Sequence, residues 1–148
     1  MQGTVVKFGG SSVATTALIS KVADGIIRRK AEAGHVVAVV SAMGKTTNNL
    51  IALSRELTDN PPKRETDMLL ATGEQVSASL LCMALVAKGC PAISMTGWQA
   101  GIVTEDSHTN SRIRSVDTER IVRALEDGLV VVVTGFQGVT MGGEITTL

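Results

Sequence analysis

Aromatic residues are almost missing from this 148-residue chain: they make up 2% of it, with one tryptophan, two phenylalanines and no tyrosine. That scarcity argues against nucleic-acid recognition by stacked aromatic platforms. The core must be built from Val, Ile, Leu, Ala and Met. Net charge is missing too, since fourteen basic and fourteen acidic residues cancel. A generic basic nucleic-acid surface and a disordered acidic tail are both disfavoured. Cysteine is scarce: Cys82 and Cys90 form no metal-ligand cluster and read as reduced cytosolic thiols. Long hydrophobic runs are lacking. Val36–Val40 and Leu129–Val133 are far too short to span a bilayer. Met68–Ala87 is longer, but Glu74, Gln75 and several serines make it a poor span, so a helix buried on much of its circumference is expected. No signal peptide is visible, because Lys7 interrupts the only early apolar run. These features predict a cytoplasmic protein with neither nucleic acid nor membrane as partner.

What the chain does have is 44% hydrophobic residues in an alternating plan. Thr4–Phe8 reads as a strand. Thr15–Ala33 reads as an amphipathic helix on Leu18, Val22 and Ile26, stopped by Gly34. His35–Ala42 is a strand whose valines do not alternate with polar residues, the mark of a strand covered on both faces. Helices follow over Thr46–Thr58 and Glu65–Lys88, with a break at Asn60-Pro61-Pro62. Ala92–Met95 is a short strand, and Gly97–Ser115 is polar and irregular with the makings of a hairpin. Asp117 is placed to cap a helix over Thr118–Glu126. Leu129–Thr134 is another buried strand, Gly135–Gly143 a glycine-rich loop, and Ile145–Leu148 the start of one more strand. Strands alternating with helices predict an α/β layered fold with a mostly parallel sheet. Ligands of such folds bind beyond the carboxyl ends of the strands.

Three segments carry candidate chemistry. Lys7-Phe8-Gly9-Gly10-Ser11-Ser12 places a strand, a glycine turn and a helix start in the order that makes a phosphate cradle. Glycine admits close backbone approach, outward N–H groups and the helix dipole favour an anion, and Lys7 adds a full charge. The same residues also suit an ordinary turn with a solvated lysine. Ser41-Ala42-Met43-Gly44-Lys45-Thr46-Thr47-Asn48 offers small hydroxylated donors to a carboxylate or phosphate; simple capping by Thr46 or Thr47 is the competing reading. Ala71-Thr72-Gly73-Glu74-Gln75 puts a glycine and a carboxylate inside an apolar helix. Gly73 marks close packing or ligand approach, and Glu74, if buried, needs a partner. That partner is either a substrate ammonium group or a basic residue such as Arg64. His108 has no second histidine at useful spacing, His35 reads as a surface residue, and Glu105 and Asp106 read as solvated loop acids. None of these is assigned to catalysis or metal binding.

Taken together, Val6-Lys7-Phe8-Gly9-Gly10-Ser11-Ser12-Val13, Val40-Ser41-Ala42-Met43-Gly44 with Thr46-Thr47-Asn48, Met68-Leu69-Leu70-Ala71-Thr72-Gly73-Glu74, Thr96-Gly97-Trp98-Gln99-Ala100-Gly101 and Gly135-Phe136-Gln137-Gly138 resemble the aspartate kinases of the amino acid kinase superfamily. The resemblance implies a three-layer αβα fold and transfer of the ATP γ-phosphoryl group to the side-chain carboxylate of L-aspartate, the entry step to lysine, threonine and methionine synthesis. It implies that Lys7 stabilises the transferring phosphoryl group, that Gly9, Gly10 and Ser11 contact phosphate, and that Ser41 lines the junction of the two substrates. Thr47 and Glu74 would hold aspartate, Glu74 facing its ammonium group. Magnesium would accompany ATP. Members of the family continue past the position of Leu148 into a further glycine-rich aspartate-binding segment, a nucleotide-binding half and, usually, regulatory ACT domains. Residues 1–148 are therefore expected to be the amino-terminal, aspartate-side part of such a domain, inactive alone and prone to self-association. A kinase of the same superfamily acting on another small acid, and a non-catalytic truncated product, are the alternatives.

Overall fold

The computed structural model describes residues 1–148. Its elements run β1 (Thr4–Phe8), a 3₁₀ turn (Gly10–Val13), α1 (Thr16–Ala33), β2 (Val36–Val40), α2 (Thr46–Leu57), α3 (Lys63–Ala87), β3 (Ala92–Met95), β4 (Ile102–Thr104), β5 (Ile113–Val116), α4 (Glu119–Glu126), β6 (Val130–Thr134), β7 (Gln137–Thr140) and β8 (Ile145–Thr147). Local chemistry sets many of these ends. The Thr15 hydroxyl accepts the Leu18 N–H and caps α1, and Gly34, at φ +86°, ends it. Pro62 sits at the start of α3, where its missing N–H costs nothing. The α3 helix thus begins two residues before the expected Glu65. The Asp117 carboxylate accepts the Glu119 N–H at 3.1 Å and so caps the first turn of α4 as expected, while Thr118, the residue flanking the helix, makes no side-chain cap.

The main sheet has the order β1-β2-β6-β3, and every pairing in it is parallel. All five residues of β6 are buried. Val130 and Val132 pack with Ile26 of α1 and Leu81 and Leu85 of α3 on one face. Val131 and Val133 pack with Ala124 and Leu125 of α4 on the other. Helix, sheet and helix therefore form three layers, as the patterning and the resemblance imply, and the unbroken valine run of β6 follows from cover on both sides. Each fully buried aliphatic side chain contributes about 1.5–3 kcal/mol relative to exposure.

A second, smaller sheet has the order β5-β4-β7-β8. The expected hairpin is the antiparallel pair β4–β5, with a register shift at Val103/Thr104. The expected loop Gly135–Gly143 is corrected: its middle is β7, parallel to β4 and antiparallel to β8. Glycine hides this strand from its composition, yet packing requires the glycine. A Cβ on Gly138 would stand 2.6 Å from Thr104 Cγ2 and 2.9 Å from the Ile102 carbonyl oxygen.

The α3 helix is long and apolar enough to cross a membrane by length and composition alone. Here it buries Leu70, Ala71, Glu74, Ser77, Ala78, Leu81 and Leu85 along one broad face, while Val76, Met83 and Val86 stay exposed. The expectation of burial around much of its circumference therefore holds for one face of the helix.

Candidate active site

Parallel pairing brings three loops to the carboxyl end of the main sheet. Phe8 and Val40 are in register. The Ser41 N–H donates to the Phe8 carbonyl at 3.0 Å, and the Gly135 N–H donates to the Val40 carbonyl at 2.9 Å. The Gly44 N–H donates to the Gly10 carbonyl at 2.9 Å. A Cβ on Gly10 would lie 3.0 Å from the carbonyl oxygens of Ala42 and Gly44, so only glycine lets the two loops sit this close without a shift. Gly9, Gly10 and Ser41 are thus stitched into one patch of backbone. One expectation changes here. The turn after the glycines is a short 3₁₀ segment, and α1 starts only at Thr16. The cradle is therefore loop backbone at a turn whose first N–H groups lack partners inside it, and not the amino end of α1.

Lys7 is exposed and in no salt bridge. It alternates with Val6 and Phe8, which pack against the α1–α3 core, so it rises from the opposite face of β1. Ser11 is also exposed.

Glu74 is the most demanding group in the site. It is 2% exposed. The tight fit of α3 on the second loop puts it there: a Cβ on Gly73 would lie 3.0 Å from Ala42 Cβ, and Ser77 donates its hydroxyl to the Ser41 carbonyl at 2.6 Å. Gly73 is accordingly a packing glycine. No cation meets Glu74. Arg64 instead reaches Glu65 and Glu144, each at 2.7 Å, in the open. The carboxylate receives the Gln137 side-chain N–H at 3.2 Å. Burial raises its pKa; hydrogen bonds from backbone and from Gln137 oppose the rise without cancelling it.

Thr47 belongs to an adjoining cleft of about 420 Å³, lined among others by Arg55, Lys63, Thr109, Phe136 and Thr147. The residue flanking α2 is Lys45, with no side-chain cap, and the Thr46 hydroxyl donates to the Met43 carbonyl at 2.6 Å. Capping by Thr47 is therefore not what holds it. Phe136, at φ +68°, bends the chain between this cleft and Gln137. Asp67, fully buried, ties the cleft wall together: it accepts the Thr147 hydroxyl at 2.6 Å, His108 Nδ1 at 2.7 Å and the Thr109 N–H at 3.1 Å. Sequence reasoning missed Asp67. The signal available was its position seven residues before Glu74, on the same helix face. His108 is a structural partner of that carboxylate. A larger hollow of about 560 Å³ lies by Trp98 and Arg120; Trp98, Gln99 and Gly101 of the quoted motif line it, but none of the residues given a binding or catalytic role does.

A parallel sheet with glycine loops at its carboxyl edge, an exposed lysine on the first strand and a buried carboxylate lacking a cation defines an α/β protein whose candidate site lies where folds of this class bind their ligands. The chain belongs to the amino acid kinase family, which residues 2–147 match. It is 56% identical over 144 residues to an aspartokinase of Geobacillus stearothermophilus, covering 97% of this chain and 35% of that protein. It is 54% identical to aspartokinase 2 of Bacillus subtilis, with the same coverage. The chain thus spans about a third of the length of these curated relatives. Among solved structures, aspartate kinase from Synechocystis superposes with a TM-score of 0.80 at 44% identity, covering 97% of this chain and 23% of that one. Aspartokinase III of E. coli, solved with aspartate and ADP, shares the fold at a TM-score of 0.85 and 21% identity, covering 97% of this chain and 43% of that one.

Proposed function

We propose that these residues hold the phosphate and aspartate side of an ATP-dependent aspartate kinase. The observation that carries this reading is Glu74: a carboxylate 2% exposed, on a helix pressed against the glycine loops, with no cation of its own. A substrate ammonium group would supply the missing charge. The aspartate side-chain carboxylate is already ionised at neutral pH and needs no base. One of its oxygens bonds to the γ-phosphorus of ATP, the bond from that phosphorus to the β,γ-bridging oxygen breaks, and the electron pair leaves with ADP. The protein's task is placement and charge. Gly9, Gly10 and Ser11 would present backbone to phosphate, Lys7 would offset charge on the transferring group, Ser41 would stand between the substrates, and Thr47 with Glu74 would orient the amino acid.

The chain forms no cluster of three or more His, Cys, Asp or Glu side chains that suits a metal. Magnesium would accompany ATP and neutralise phosphate charge. The adenine pocket would be supplied outside residues 1–148, in the part of the relatives this chain does not span. The exposed side chains Val76, Met83 and Val86 support self-association, which sedimentation would read. The reading also places the protein in the cytoplasm, at the entry to lysine, threonine and methionine synthesis.

The test is hydroxylamine trapping of aspartyl phosphate, on the 148-residue chain and on the same chain joined to the remaining two-thirds of the Geobacillus stearothermophilus relative. Product from the joined protein and none from the short chain is expected. Absence of product from a folded joined protein rejects the reading. Equal rates from both reject the division of labour.

A further inference from the structure

Gln137 lies at the first position of β7, is completely buried, and takes no part in the roles assigned above. Its side-chain nitrogen donates twice, to the Ala71 carbonyl at 3.0 Å and to Glu74 Oε2 at 3.2 Å. Its amide oxygen has no partner at all. Turning the amide over would set that oxygen against two acceptors, so the nitrogen must face Glu74. The residue cannot swing away. Its backbone is in register with Thr147 of β8, and a Cβ on Gly97 would stand 2.1 Å from the Gln137 carbonyl oxygen and 3.2 Å from its Cγ. The Thr96-Gly97 turn thus backs the same residue from behind.

We propose that Gln137 is a positioning residue: clamped between the Ala71 carbonyl and the Glu74 carboxylate, it fixes the direction in which Glu74 meets a ligand ammonium group. The proposal rests on the aspartate reading for the identity of that ligand, but the coupling between the two side chains does not. Two terminal oxygens give Glu74 a choice of faces. The amide occupies one, on Oε2, and leaves the other oxygen to a cation. The only other groups bearing on the charge of Glu74 are backbone, at Ala42 and at Glu74 itself; no titratable side chain of α3, of the Ala42 loop or of β7 contributes. Removing the amide therefore leaves burial less opposed and raises the pH at which Glu74 ionises.

The experiment uses the 148-residue chain with ¹³C-labelled glutamate side chains. Gln137→Met keeps the length and removes both donors. The Glu74 midpoint is expected to rise by about one pH unit. An unmoved Glu74 midpoint in a folded Gln137→Met variant overturns the proposal. Should that variant not fold, the unsubstituted chain decides: the Gln137 amide proton signals must shift with pH at the Glu74 midpoint and stand still in Glu74→Gln. Amide signals that ignore the Glu74 titration also overturn it. In the joined protein, Gln137→Met should raise the aspartate KM more than it lowers kcat. No aspartate enters the two titrations, so failure of the aspartate reading and failure of the clamp give different results.

Discussion

At the scale of single residues, Glu74 sets function against stability. Its pKa is raised in the folded chain, so the folded state holds its proton more tightly than the unfolded one. Its contribution to stability is fully present below the ordinary glutamate range and is lost as pH climbs through the raised folded value. Glu74→Gln should therefore melt higher than the parent at pH 7–8 and show no gain near pH 4, as read by thermal unfolding at both. A hidden salt bridge would give the opposite sign at neutral pH. The same variant in the joined protein should weaken aspartate roughly tenfold or more, since a charged hydrogen bond is worth about 1.5–3 kcal/mol. Lys7 differs. It is exposed and unpaired, so Lys7→Ala should leave the melting temperature within about a degree. It should cut kcat about 10²–10³-fold with little change in aspartate KM, because its charge matters most where phosphate charge redistributes. Near-normal turnover would return Lys7 to the status of a surface residue.

Among the elements, α3 joins the main sheet to the second sheet, and Asp67 is the joint. Asp67→Ala would strand the Thr147 hydroxyl and the Thr109 N–H without their shared acceptor, at about 2–4 kcal/mol. Denaturant midpoints should show that loss, and proteolysis should become faster around Thr109, a non-glycine residue held at φ +70°. The main-sheet strands and the α1 and α2 helices were legible in the sequence because apolar spacing and glycine stops repeat the same message there. The second sheet was only half legible. The β4–β5 pair showed as a possible hairpin, but β7 was concealed, since Gly138 answers to a neighbouring strand that local patterning cannot see. The glycine loops and Glu74 stood out as candidates because their residue types are unusual for where they sit, whereas Ser41 entered through the family resemblance. Asp67 and Gln137 escaped for a shared reason: their importance lies in partners 80 and 63 residues away in the chain.

For the whole molecule, β6 makes the two cores one unit. Val133 faces α4, whereas Cys82 lies in the α1–α3 core with its thiol pushed up to about 12 by burial. In the native chain at pH 8, Cys82 should resist alkylation. Val133→Ala should nonetheless speed its labelling, though the two residues belong to opposite faces of the sheet. About 2 kcal/mol of lost burial raises the open population roughly thirtyfold. An unchanged labelling rate would mean that the two layers open independently. The strand order β1-β2-β6-β3 carries a further consequence for the chain's history. During synthesis β3 is made long before β6, yet β2 and β3 have no shared edge until β6 slots between them. A nascent chain ending before Val130 therefore owns two sheet fragments with a gap one strand wide, and the apolar side of α3 has only a partial floor to lie on. Nothing earlier in the sequence can close that gap, so the emergence of β6 is the step that commits the strands made before it.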